Sequence, residues 1–124
     1  MALDIVRFPD PIGALIGLLN GQWPGLATAT VPAAYTRHLL VRGTSSPATL
    51  VTQRTLYTIE CRDKTSPAKA AELGQGAAAF HDAYYRANNE PVGYELGSVV
   101  ANYPDPDDGT PRSVVTCSLT WSRI

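Results

Sequence analysis

The strongest constraint on this chain is the alanine-rich stretch that follows Ser66-Pro67. Ser66 suits a helix N-cap, and Pro67 suits the first helical position, where a missing N–H costs nothing. Ala70, Leu73, Ala77, Phe80 and Tyr84 then recur at steps of three and four, which predicts the longest helix of the chain, ended by Asn88-Asn89-Glu90-Pro91. The stripe is narrow and small-sided. Gly74, Gly76 and the surrounding alanines let a sheet come close, although each glycine costs about 1 kcal/mol of helix propensity relative to alanine. Close packing has to offset that cost.

The rest of the chain supplies a short helix and strands. Asp10 can cap a helix, Pro11 fits its first position, and Ile12, Leu15, Ile16 and Leu19 share one stripe, so residues 10–20 are predicted helical with Gly21 as the left-handed residue behind them. Pro9 disfavours helical geometry at Phe8 and separates the apolar Leu3, Ile5, Val6 and Phe8 from this helix. After Trp23-Pro24-Gly25 come three segments of strand character, residues 26–31, 36–42 and 49–61, read as an antiparallel unit. Between the last two, Gly43-Thr44-Ser45-Ser46-Pro47-Ala48 has the composition of an exposed loop. Residues 94–103 and 112–123 form a second hairpin around Pro104-Asp105-Pro106-Asp107-Asp108-Gly109-Thr110-Pro111, with Val115, Cys117, Leu119 and Trp121 on one face. The expected fold is therefore α+β: one domain over residues 1–124, in the order α-β-β-β-α-β-β, with two helices on a mixed or antiparallel sheet of about five strands.

Composition narrows the function. Ten Lys and Arg against eleven Asp and Glu leave a formal charge of -1, so no long-range field recruits nucleic acid or an anionic membrane. No apolar run reaches the roughly 20 residues of a spanning helix, and residues 1–4 lack a basic, then apolar, leader pattern, so a cytoplasmic site of synthesis is expected. Cys61 and Cys117 stand without CxxC or Cys/His spacing, the pattern of two reduced thiols. Charged residues make up only 17% of the chain, a sparse surface for a free monomer and a hint of partners.

Chemistry is hard to find. His38 on a strand and His81 on a helix are the near-neutral acid–base groups, and neither belongs to a metal or nucleophile motif, so surface or partner-facing roles are expected for both. Counted from Asp105, glycine comes fifth and position twelve is Thr116, whereas an EF-hand needs glycine sixth and glutamate twelfth. A proline-braced turn fits the acidic run better. Gly74-Gln75-Gly76 lies within the predicted helix, so phosphate binding has no support, and Tyr84 and Tyr85 beside Arg86 make a weak stacking platform for single-stranded nucleic acid. No catalytic residue, metal or cofactor is expected, and the chain does not read as an enzyme.

The run Val99-Val100-Ala101-Asn102-Tyr103-Pro104-Asp105-Pro106-Asp107-Asp108-Gly109-Thr110-Pro111-Arg112, followed by an alternating strand ending at Trp121, resembles the C-terminal signature of tail terminator proteins from long-tailed (siphovirus-type) phages of actinobacteria. The strand Arg54-Thr55-Leu56-Tyr57-Thr58-Ile59-Glu60-Cys61 leading into an alanine-rich helix is similar to the same family. Two Lys against eight Arg agree with a GC-rich host. The resemblance implies a virion subunit, assembled in the host cytoplasm, that forms a homo-hexameric ring at the tail–neck junction. Such a ring caps the head-proximal end of the tail tube, stops tube polymerisation, and offers a docking surface to the neck. Its implied partners are the major tail tube protein, a neck (stopper or connector) protein, and genomic DNA that passes through the lumen without sequence-specific binding; no membrane is involved. The interface residues expected on this basis lie in two projecting loops: Thr44, Ser45, Ser46 and Pro47 in one, and Tyr103, Asp105, Asp107, Asp108, Gly109 and Arg112 in the other. The alternative within this reading is another neck component, a head-closure (stopper) or head–tail joining protein.

Overall fold

A computed structural model of the chain describes residues 11–47, 52–87, 93–100 and 103–122. The elements follow the expected order: α1 (Pro11–Gln22), β1 (Ala27–Thr28), β2 (Arg37–Pro47), β3 (Thr52–Asp63), α2 (Pro67–Ala87), β4 (Gly93–Val100) and β5 (Arg112–Ser122). The cap expected from Asp10, the apolar residues 3–8 and the helix end expected at residues 88–91 lie outside the described residues.

Four full-length strands make the sheet, and β1 adds only a two-residue edge to it, in the order β1-β2-β3-β5-β4. The expected sheet of about five strands is corrected accordingly to four strands and a two-residue edge. So is the antiparallel reading of the first segment, because β1 runs parallel to β2, with Ala27 opposite Leu39. Thr28 accounts for the early stop: its hydroxyl donates to the Thr30 carbonyl (2.5 Å), a local bond that turns the chain away from the ladder. The other pairs, β2–β3, β3–β5 and β5–β4, are all antiparallel.

The loop expected at residues 43–48 is strand as far as Pro47. The β2–β3 ladder runs without a break from Arg37 opposite Asp63 to Pro47 opposite Gln53. Gly43 serves close packing, not a turn: a Cβ there would lie 2.7 Å from Ile12 Cδ1, from the Leu56 carbonyl oxygen and from Tyr57 Cβ. Gly21 likewise lies within α1, and the left-handed residue is Gly25 (φ 74°). With Pro24 before it and Leu26 N–H donating to Trp23 C=O (3.1 Å), Gly25 fits the third position of a type II turn.

Both helices cover one face of the sheet. Leu15 and Leu19 of α1 pack with Leu39, Val41, Ile59, Val115 and Leu119, and Ala70, Leu73 and Ala77 of α2 complete the core. Ser66 caps α2 as expected, its Oγ accepting from Lys69 N–H (3.2 Å). The buried stripe of α2 continues through His81 and Tyr85, while Tyr84 is more exposed than the pattern predicts. Gly74 explains the rotation. An added Cβ would lie 2.1 Å from Ser113 Oγ, so the helix is seated on β5 at its smallest residue, and steps of four from Ala77 then bring residues 81 and 85 inward.

Candidate functional site

The sheet face opposite the helices carries the even-numbered residues of β2, β3 and β5. In one row stand His38, Arg62 and Arg112; in the next, Leu40, Glu60 and Val114. Strands would normally give such positions to water. Here two segments fold over them, residues 28–36 from one side and residues 103–111 from the other, leaving Arg62 only 3% exposed.

A single guanidinium ties both segments down. Arg62 Nε donates to Tyr35 Oη (2.8 Å), and Nη2 donates to Asp105 Oδ2 (2.7 Å) with Asp108 Oδ2 at 3.7 Å. Burial disfavours the charge on Arg62, but the bonds to Tyr35 and Asp105 outweigh it and hold its pKa above the ordinary arginine value. Beside it, Arg112 Nη1 bonds Glu60 Oε1, its Nε donates to Tyr103 C=O (2.9 Å), and its guanidinium lies 4.8 Å from the centre of the Tyr103 ring. Arg42 reaches Glu60 Oε2 from the outside (3.7 Å).

The 103–111 loop also braces itself. Tyr103 N–H donates to Arg112 C=O (3.0 Å) and Asp105 N–H to Thr110 C=O (2.9 Å), which extends the hairpin beyond the strands. Gly109 takes a left-handed φ of 72° and donates to Asp105 C=O (2.8 Å). Asp105 Oδ1 accepts Asp107 N–H (2.8 Å), and Asp108 Oδ1 accepts Thr110 N–H (2.9 Å). The Asp107 amide and then Arg62 hold the Asp105 carboxyl below the usual carboxylate range, and Thr110 does the same for Asp108. Carboxylates used this way are turn braces. Between the loop, Val31 and the three arginines lies an open cleft of about 370 Å³, while Tyr103 (53% exposed), Asp107 and Asp108 face outward.

Both histidines are buried, which corrects the surface role expected for them. His38 Nε2 meets Thr28 Oγ1 (2.6 Å), an oxygen whose own proton goes to Thr30, so the histidine donates; its buried Nδ1 has no hydrogen-bond partner among the described residues. Desolvation first, then Arg62, lowers the His38 pKa. His81 Nε2 bonds Tyr57 Oη beneath α2, and burial pushes its pKa down to about 4. Tyr85 packs on the His81 ring (4.6 Å between centroids) and meets the Tyr84 ring edge-on (5.2 Å), so it belongs to the core and the pair is not an exposed stacking platform. The thiols are buried too, with burial pushing Cys61 up to about 12 and Cys117 up to about 11. Among the described residues, no group of three or more His, Cys, Asp or Glu side chains is arranged to hold a metal ion, and no helix is long and apolar enough to cross a membrane.

The chain matches no protein-family model and no curated protein sequence.

Of the residues expected at an interface, Tyr103, Asp105, Asp107, Asp108, Gly109 and Arg112 come together in the braced loop. Thr44, Ser45, Ser46 and Pro47 do not join them. They lie in β2 at the other end of the sheet, about seven rows of the ladder away from Arg62, roughly 23 Å at the rise of a strand. Sequence reasoning missed Arg62, Glu60 and Tyr35. The available signal was the alternation of Thr58-Ile59-Glu60-Cys61-Arg62, which puts an acid and a base side by side on the face away from the helices.

Proposed function

We propose that this chain is a structural subunit of the tail-terminator kind, a ring-forming cap on the head-proximal end of a phage tail tube that halts tube growth and gives the neck a place to dock. The observation that carries the proposal is the pre-organised 103–111 loop. It is the stretch on which the sequence resemblance rests, and it is also the one on which the chain spends its buried arginine, its acidic turn braces and its left-handed glycine. A loop held in one conformation before contact loses little entropy on docking, which is what an assembly surface requires. Residues 44–47 lie at the opposite end of the sheet, so the two expected contact regions could address different neighbours, tube on one side and neck on the other. The functional step in this reading is geometric and needs no acid–base or nucleophilic group. A subunit charge of -1 suits a lumen through which DNA passes, because it offers few salt-sensitive phosphate contacts.

The test is to mix the protein with purified tail tubes and, separately, with tailless heads, and to image both. The proposal expects density at one end of the tubes. Binding to heads alone would replace it with the neck-component reading, a stopper or head–tail joining protein.

A further inference from the structure

The backbone edge of this sheet is closed in one place and open in another. At β1, the Asn20 side chain accepts Ala27 N–H (2.8 Å) and donates to Ala27 C=O (3.0 Å), so a side-chain amide stands in for a missing strand. Beyond β1 the same edge is bare among the described residues: Leu39 and Leu40 pair with β1, whereas residues 41–47 of β2 pair only with β3.

Which groups face the open side follows from the ladder. Leu39 N–H donates to Leu26 on the β1 side, and the β2–β3 register is unbroken, so Val41, Gly43 and Ser45 also aim their N–H and C=O groups outward. Pro47 falls on the same parity, and its missing donor faces the edge, the position a strand tolerates. On the far side of the sheet, Asp63 N–H donates to Pro111, which sets odd residues of β3 toward β5; carried across the register, this leaves Tyr94 and Leu96 of β4 aiming outward.

The two edges, neither of which has a further strand among the described residues beside these positions, match each other. Three antiparallel pairings make β4 run opposite to β2, so a second copy in the same orientation brings its β4 antiparallel to this β2. They also match in height. One row of the sheet joins Gly43, Tyr57, Cys117 and Leu96, and another joins Ser45, Thr55, Leu119 and Tyr94. The outward groups of Gly43 and Ser45 therefore stand level with those of Leu96 and Tyr94, ahead of the register shift at Leu96/Ser98 that spoils the rest of β4 as an edge.

We propose that successive copies of this chain join head to tail by strand pairing, Tyr94 and Leu96 of one copy opposite Ser45 and Gly43 of the next, so that the sheet continues around a closed ring. A cyclic assembly without axial shift brings equal heights together, and closure removes every free edge. This contact presupposes the ring-forming subunit proposed above, and its test is separate from tube capping.

Ser45→Pro is the decisive variant, since it deletes an outward N–H and leaves the bonds to β3 in place. Sedimentation of the full-length chain over a concentration series should show a cyclic species larger than a dimer, with the assembly midpoint of Ser45→Pro shifted at least about tenfold higher. Amide exchange on the wild type guards against a variant that fails to fold: Gly43 and Ser45 should be protected only when the chain is assembled. An oligomer that Ser45→Pro leaves intact, a chain that stays monomeric to its solubility limit, or edge amides protected equally in the monomer, as when residues 1–10 cover them, would each overturn the strand-pairing contact. Tube capping could still stand in all three cases.

Discussion

Arg62 holds two segments with one side chain, and that division of labour makes it sensitive to shape as well as charge. Arg62→Ala frees Asp105, Asp108 and Tyr35 together and should cost about 2 kcal/mol, read as a lower urea midpoint at neutral pH. Faster exchange of the Asp107 and Thr110 amides, whose partners are those same two aspartates, should accompany it. Arg62→Lys should rescue only part, because one ammonium cannot span the phenol and the carboxylates as a planar fork does. His81 makes a different prediction. Its folded pKa of about 4 lies below the unfolded 6.5, so the unfolded chain takes up the proton first. Stability should be flat above pH 6.5, fall as the pH drops below it, and have lost about 3 kcal/mol near pH 4. His38 is shifted in the same direction. Denaturation curves between pH 7.5 and 4 measure this slope, and His81→Leu should make it shallower; a wild-type slope that survives in His81→Leu would assign the acid sensitivity elsewhere.

Helix α2 shows how an element can be legible in outline and misread in detail. Its cap, its start and its small-residue face follow from local sequence, and the structure supplies the close approach that offsets the glycines. The two glycines are nevertheless unequal. Gly74→Ala would drive a methyl group into Ser113 and should destabilise by about 2 kcal/mol, overpacking outweighing the gain in propensity. Gly76→Ala meets only Trp23 Cζ2 at 3.4 Å and should gain up to about 1 kcal/mol. Thermal melts of the two variants should therefore move in opposite directions. Periodicity alone placed Tyr84 inward, because a narrow stripe fixes the face of a helix only to within one residue, and the single contact at Gly74 sets its rotation. β2 departs from its composition for a related reason: glycine, serine and proline are turn residues by frequency, but here Gly43 admits Ile12 and Pro47 turns its missing donor outward, neither of which composition can express.

At the scale of the whole molecule, the order of elements and the covered face of the sheet were readable in the chain because alternation and helical stripes are local. The arrangement on the opposite face was not. It depends on Arg62 meeting Asp105, residues 43 positions apart, and on a threonine that ends β1 after two residues. Among the described residues, what results is a sheet with helices on one side, a braced loop at one end, and β4 and residues 41–47 of β2 as its outer strands, the edges that the proposed ring would join. The most direct measurement is electron microscopy of growing tail tubes to which the purified protein is added. A six-fold cap at one end of each tube, with no further elongation there, is the expected result; tubes that keep growing with bare ends, while the protein gathers on tailless heads, would rule out a tail terminator.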